Sequence, residues 1–312
     1  LNETFIATIP APVRASSIDD PAYILGFAVE AAGCGGAALA TLVEIRGGAA
    51  RALGAHVAVA ADGRFCGYVS GGCVEAAVAA EALQAISEGR DRIVRFGEGS
   101  PFFDIELPCG GGITIAIHVI RDTSILADAL GDLANRCSVA LAYTPQSQTL
   151  ARADTVPLRS KWFERAFVSV YRPRTRVVIS GQTGEAEAVR RLADVSGYDV
   201  QVVDSTRLRV DQGAILIDAF TAVVLLHHDL DLEANVLSEA LASPAFYIGA
   251  LGSTRTHRRR IERLRSRGIP PKSFERIKAP IGLFGPTRDA TSLALSVLAD
   301  VAAARLEVFA SP

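Results

Sequence analysis

The stretch RVVISGQTGEAEAVRRLADVSGYDVQVVD, residues 176–204, decides the fold. Its two ends, Arg176–Ile179 and Asp199–Val203, are short β-branched runs, and the apolar residues between Glu185 and Ser196 recur at helical spacing. Strand, helix and strand joined by short loops make one βαβ unit, the connection that parallel strands require. The turn SGQTGEAEA places Gly181 and Gly184 ahead of the helix. Asp204 ends the second strand about 20 residues on, where dinucleotide folds keep a ribose-binding acid. At the middle glycine position stands Thr183, whose side chain restricts the approach of a pyrophosphate. The fold signal is therefore stronger than the NAD(P) signal.

Outward toward the C-terminus the alternation continues. A strand at Ala222–Leu226 ends in His227 and His228, a helix follows over Leu232–Ala242, and a strand over Phe246–Ile248 leads into an arginine-rich helix from Thr256 to Arg267. A closing helix is read from Ala290 to about Leu306. The pattern predicts a Rossmann-like, doubly wound, mostly parallel sheet over 174–312, covered on both faces. In YIGALGSTRTHRRRIERLRSRG, residues 247–268, Gly249, Gly252 and Ser253 precede the helix. Its first turn suits an anion, so Ser253, Arg255 and His257 are binding candidates. The distal arginines fit a solvated face or a dock for an acidic partner.

Toward the N-terminus, helices at Ala22–Ala32 and about 122–136 mix with strands at Ala38–Ile45, Val57–Ala60, Phe65–Val69, Arg92–Phe96, Ile113–Ile120 and Val139–Tyr143. This predicts an N-terminal α/β domain over 1–160, with a soft boundary in the turn-rich stretch between about 150 and 174. Two glycine loops stand out. GYVSGGCVE, residues 67–75, sets Ser70, Gly71, Gly72 and Cys73 ahead of a helix, whose first N–H groups favour anions and whose positive end favours a thiolate. Glu75, in the first turn, fits a capping role better than catalysis. LPCGGGI, residues 107–113, exposes the backbone of Gly110, Gly111 and Gly112 beside Cys109, a pattern that fits a ligand or reactive thiol better than a packed one. A zinc set of Cys66, Cys73 and Cys109 with His118 or Asp104 is a rival, but paired CxxC spacing is missing.

Composition narrows the function classes. The chain has 312 residues, 49% hydrophobic and 21% charged, which is long enough for two globular domains and far from disorder. A net charge of −2 argues against a protein whose main task is wrapping nucleic acid. No apolar run reaches membrane-spanning length, and neither a secretory leader nor an even cysteine framework is evident, so a cytoplasmic protein with reduced thiols is expected.

Taken together, GYVSGGCVEAAV, FFDIELPCGGGI, FYIGALGSTRTHRRRIERL and KAPIGL resemble the xanthine dehydrogenase accessory factor family, which includes carbon monoxide dehydrogenase accessory factors. The resemblance covers nearly the whole chain. It implies a chaperone that binds molybdenum cofactor, protects it, supports its sulfuration and assists its insertion into an apo-molybdenum hydroxylase. A sulfur donor such as a cysteine desulfurase is the further partner implied, and a homo-dimer is compatible with the reading. Carried onto this chain, Cys109 is the strongest position, a candidate molybdenum contact cradled by Gly110–Gly112. Cys73 and Glu75 come second, and Gly181, Gly184 and Asp204 mark the Rossmann region. The rival functions are an NAD(P)-dependent oxidoreductase and an interaction scaffold without cofactor. The family's usual continuation after the IGL motif is replaced here by FGPTRDA.

Overall fold

The computed structural model describes residues 9–97, 110–203, 209–210, 213–214 and 217–309. The chain divides into two compact units, Leu1–Pro173 and Arg174–Pro312. Among the described residues, no helix is long and apolar enough to cross a membrane.

The first unit runs β1 (Val13–Ser16), α1 (Pro21–Gly33), β2 (Ala37–Arg46), β3 (His56–Ala60), β4 (Arg64–Gly67), α2 (Glu75–Glu88), β5 (Arg92–Gly97), β6 (Gly112–Val119), α3 (Ser124–Ala134), β7 (Val139–Thr144), β8 (Thr149–Arg152), β9 (Lys161–Phe163) and β10 (Ala166–Tyr171). Six strands form one sheet in the order β1-β4-β3-β2-β6-β5. Its pairs are antiparallel except β1 with β4. Val78, Ala82 and Leu83 of α2 bury one face against Leu42, Val57 and Ile115. Leu25 and Ala28 of α1 and Leu126 of α3 bury the other against Leu39 and Ala58. With both faces covered, β2 and β6 are buried along most of their length, so they read as unbroken apolar runs rather than alternating ones.

Strand direction gathers the loops. Arg46 and Gly97 both pair with Gly112, so β2 and β5 end where β6 begins. Gly67, the last residue of β4, pairs with Val57 at the start of β3 on the same side. β1 runs parallel to β4 and ends beside Cys66, so with the β2–β3, β4–α2 and β5–β6 connections the chain makes four of its turns at one end of this sheet.

A second sheet, β8-β7-β10-β9, is antiparallel, with Phe167–Tyr171 of β10 paired to Val139–Tyr143 of β7. Three strands thus lie in or just before the stretch expected to be a soft boundary. Their shortness and the turn residues between them hid the period-2 signal. β1 likewise lies in the polar, proline-containing opening, where four residues are too few to show a strand period.

The second unit runs β11 (Arg176–Ser180), α4 (Gly184–Val195), β12 (Asp199–Val203), β13 (Arg209–Val210), β14 (Gly213–Ala214), β15 (Thr221–Leu225), α5 (Leu230–Ala242), β16 (Tyr247–Ala250), α6 (Thr254–Ser266), β17 (Ile277–Lys278) and α7 (Ala290–Phe309). Its main sheet has the order β12-β11-β15-β16-β17, parallel throughout. α4 and α7 cover one face, α5 and α6 the other. This is the doubly wound, Rossmann-like sheet that residues 176–204 predict. Its strand order reverses between β11 and β15, the switch point at which such sheets open a ligand crevice.

Candidate functional site

In the first unit the sequence SGGCVE builds its own foundation. The Glu75 side chain turns back from the first turn of α2 and is 1% exposed. Its carboxylate accepts the backbone N–H groups of Val69 and Ser70 at 3.1 and 2.8 Å. The Ser70 hydroxyl lies 2.9 Å from both carboxylate oxygens. Donating its hydrogen there leaves the Ser70 oxygen free to accept from the N–H groups of Gly72, Cys73 and Val74 at 3.2, 3.1 and 3.4 Å. A buried carboxylate thus satisfies the loop backbone that would otherwise be orphaned, and Gly71, Gly72 and Cys73 are held exposed above it. Val74 caps α2 with no side-chain hydrogen bond, so the first N–H groups of the helix are without a side-chain cap.

The second glycine loop reaches the same end of the sheet through a third loop that sequence reasoning did not single out, residues 47–50. A Cβ at Gly111 would lie 2.5 Å from the carbonyl oxygens of both Arg46 and Gly48, so only glycine fits. A Cβ at Gly71 would lie 3.5 Å from that of Ala50. One loop therefore touches both SGGC and GGG, and Ser70–Cys73 and Gly110–Gly112 share a rim. Gly110 is exposed there, while Gly111 and Gly112 are buried. Cys109, like Asp204, lies outside the described residues. Just below the rim, Arg46 donates to Glu44 and Thr114, both at 2.8 Å. The Thr114 hydroxyl, then Arg46 and Arg95, hold the Glu44 carboxyl below its usual range, outweighing its slight burial.

The zinc set does not assemble. Cys66 is buried in the core beneath α1, and burial pushes its thiol up to about 11. His118 sits far along β6 from Gly112, its Nδ1 2.7 Å from Asp91 Oδ2. Asp91 also accepts from Tyr143 at 2.9 Å and from the Val119 N–H at 3.0 Å. Burial raises the Asp91 carboxyl, but the His118, Val119 and Tyr143 hydrogen bonds together bring it below its ordinary value. Asp104 and Cys109 are outside the described residues, and among those described no three His, Cys, Asp or Glu side chains gather as a metal site.

A second buried polar group went unread in the sequence. His56 is 5% exposed, with Nδ1 3.0 Å from the Thr41 hydroxyl and Nε2 2.7 Å from the Tyr171 hydroxyl. Desolvation pushes its pKa down to about 3, so it is a neutral hydrogen-bonding pin. The available signal was one histidine opening the apolar run HVAVA.

In the second unit two buried side chains meet at the switch point. Ser180 Oγ lies 2.8 Å from His227 Nε2, both buried, bridging the ends of β11 and β15. Gly181 has φ +148°, and a Cβ there would lie 2.8 Å from the Leu226 carbonyl. Thr183 caps α4 by accepting from the Ala186 N–H at 3.3 Å. Glu185 and Glu187 occupy the first turn. Glu185's own N–H and the Thr183 hydroxyl stabilise its carboxylate and lower its pKa. Negative charge thus stands beside Gly184, where a dinucleotide would place its pyrophosphate. At the end of β16, Ser253 caps α6 by accepting from the Thr256 N–H at 3.3 Å, and Arg255 is exposed. His257 Nδ1 is buried without a hydrogen-bond partner among the described residues. Desolvation and then Arg260 lower the pKa of that ring.

Residues 177–301 match the model of the XdhC Rossmann domain, and residues 33–97 match that of the XdhC and CoxI family. The chain is 50% identical over 296 residues to the molybdenum cofactor insertion chaperone PaoD of Escherichia coli K12, covering 95% of this chain and 92% of that protein. It is 25% identical over 326 residues to a probable xanthine dehydrogenase subunit of Bacillus subtilis 168, covering 87% of this chain and 94% of the relative. A crystal structure of a xanthine dehydrogenase from Bacillus halodurans shares the fold, with a TM-score of 0.70 at 19% identity over 91% of this chain and 96% of that one. With its C-terminal half, its N-terminal region and a half-identical relative in agreement, the chain belongs to the XdhC and CoxI family.

Proposed function

We propose that this protein is a cytoplasmic molybdenum cofactor insertion chaperone, which takes the cofactor as cargo and delivers it to an apo-molybdenum hydroxylase. The observation that carries the reading is the 50% identity, over nearly the full length of both chains, to a protein of that name. The rim of the first unit supports it. Exposed glycine backbone at Gly71, Gly72 and Gly110, with an α2 N-terminus lacking a side-chain cap, suits the phosphate of an anionic pterin. Cys73 stands on that rim. In this reading Cys109, joined directly to Gly110, shields or contacts the molybdenum, because a soft thiolate suits that metal during sulfur exchange. Support of sulfuration by a donor such as a cysteine desulfurase, and a homo-dimeric state, belong to the same proposal.

The acids at the start of α4 and the Ser180–His227 bridge disfavour the NAD(P)-dependent oxidoreductase. The test compares the wild type with Cys109→Ser and Cys73→Ser. Each is measured for retention of molybdenum cofactor and for activation of an apo-hydroxylase with its sulfur donor. Cys109→Ser should lose most retention and activation, and Cys73→Ser a smaller share. If all three proteins retain cofactor and activate alike, the thiol role is rejected. If the wild type retains none, the chaperone reading is rejected.

A further inference from the structure

The arginine-rich helix α6 carries features that helix stability does not explain. Arg255, Arg259, Arg263 and Arg267 follow one another at four-residue intervals, which stacks them as a single ridge along one side of α6 and its cap. Like charges four apart on a helix repel, so the ridge works against the element that bears it. Arg263, Arg265 and Arg267 sit at the C-terminal end, where cations suit the helix dipole. Arg255, Arg258 and Arg259 lie toward the opposite end, where they do not, and the first turn has no acid to offset them. All three are exposed and have no acidic partner among the described residues. Within Thr254–Ser266 there are six arginines and one glutamate, a charge of +5, so the remaining chain carries −2 − 5 = −7.

Beside this ridge, between α5 and α6, lies a cleft of about 200 Å³. Leu230, Ala234, Leu237 and Leu264 supply its apolar lining; Asp231 and Glu233 line it too, Asp231 accepting from Arg263 at 2.7 Å, and Arg267 stands beside them. Arg260, which also lines the cleft, is 2% exposed. Its Nε and Nη2 are committed to Glu233, and Nη2 also donates to the Leu251 carbonyl at 2.7 Å. Its Nη1 is buried and has no partner among the described residues. A buried guanidinium nitrogen left unpaired costs free energy that a hydrogen-bond acceptor would recover.

We propose that the α6 ridge and this cleft form a docking surface for an acidic protein segment bearing an apolar anchor side chain, and that the segment belongs to the enzyme receiving the cofactor. The assignment of the source rests on the chaperone reading; the surface itself does not. The cleft has a buried apolar floor and its two acids are already engaged by Arg260 and Arg263, so an anchor side chain can seat there while the ridge arginines without an acidic partner among the described residues steer the encounter. A membrane fits less well, because Leu264 and Ile261 pack into the core and leave α6 no apolar face to insert. Nucleic acid also fits less well, because the −7 borne by the rest of the chain repels a long polyanion.

Two arms on the full-length protein test this. In the first, the probe is a fluorescent peptide of six glutamates around one phenylalanine, with a lysine counterpart and a glutamate peptide lacking the phenylalanine as controls. In the second, the probe is an apo-molybdenum hydroxylase prepared from cells unable to make the cofactor. The variants are Arg258→Glu/Arg259→Glu, which reverses two exposed charges, and Ser266→Trp, which fills the cleft from an exposed position. Wild type should bind the acidic anchored peptide over both controls. The double variant should cut the association rate for both probes at least tenfold at low ionic strength. Ser266→Trp should raise the dissociation rate at least tenfold, and both variants should retain cofactor as wild type does.

If wild type binds all three peptides equally, or if the variants bind both probes as wild type does, the docking surface is overturned. Peptide binding that responds to the variants while association with the apo-enzyme does not would overturn the assignment to the receiving enzyme. The same outcome follows if the variants lose binding only to anionic phospholipid vesicles or to RNA. Loss of cofactor retention by wild type would instead overturn the chaperone reading and leave the peptide result standing.

Discussion

Glu75 shows how one side chain organises a loop. Its buried carboxylate receives two backbone N–H groups and the Ser70 hydroxyl, and hydrogen bonds to a charged group are the stronger kind. Glu75→Ala strips the partner from buried donors and should destabilise the protein by about 3 kcal/mol, read from urea unfolding. Glu75→Gln, which keeps an acceptor oxygen, should lose less. His56 has a signature in pH. Its folded pKa of about 3 lies below the ordinary 6.5, so between those values the unfolded chain binds a proton that the folded one refuses. The stability present above pH 6.5 is therefore lost as pH falls toward 3, by up to ~1.4 kcal/mol per pH unit from this group. His56→Gln should flatten that part of the curve of unfolding free energy against pH. An unchanged slope would mean that His56 titrates normally.

At the scale of elements, close backbone approach sets both glycine positions that matter most. Gly111→Ala would push a methyl into the carbonyls of Arg46 and Gly48, forcing β2 and β6 apart where the rim is built. We expect a loss of about 2–4 kcal/mol, in the range of overpacked or strained sites, together with weaker cofactor retention. Thermal unfolding and a retention assay on the same sample check both. Helix α4 offers a milder case. Thr183 takes the middle glycine position of the dinucleotide pattern and acts as N-cap, so Thr183→Ala should cost about 1 kcal/mol. If NAD(P) affinity appeared with Thr183→Gly/Glu185→Ala but not in wild type, it would confirm that these two residues close the crevice. If wild type binds NAD(P) at micromolar concentration, the closed-crevice argument fails.

At the scale of the molecule, each unit has its own cores, those of the second drawn from β11 to α7. Residues 174–312 produced alone should therefore unfold in one cooperative thermal transition, and a gradual, non-cooperative melt would show dependence on residues 1–173. The βαβ unit at 176–204 was legible because its periodicities are local: β-branched runs, a 3.6-residue rhythm and a glycine turn each act within a few residues. The ridge of arginines at 255, 259, 263 and 267 could likewise be read from spacing. Strands β8 and β9 were not, because short edge strands next to turn residues are defined by the partner they pair with, which can lie anywhere in the chain. The same holds for the rim. Sequence alone determined that Ser70–Cys73 and Gly110–Gly112 are unusual backbone, since glycine clustering beside cysteine is a chemical fact of the chain. That residues 47–50 join them, that Glu75 faces inward and that the Rossmann crevice is bridged by Ser180 and His227 were decided only by tertiary structure, because each depends on contacts between residues distant in sequence, brought together by strand order and burial.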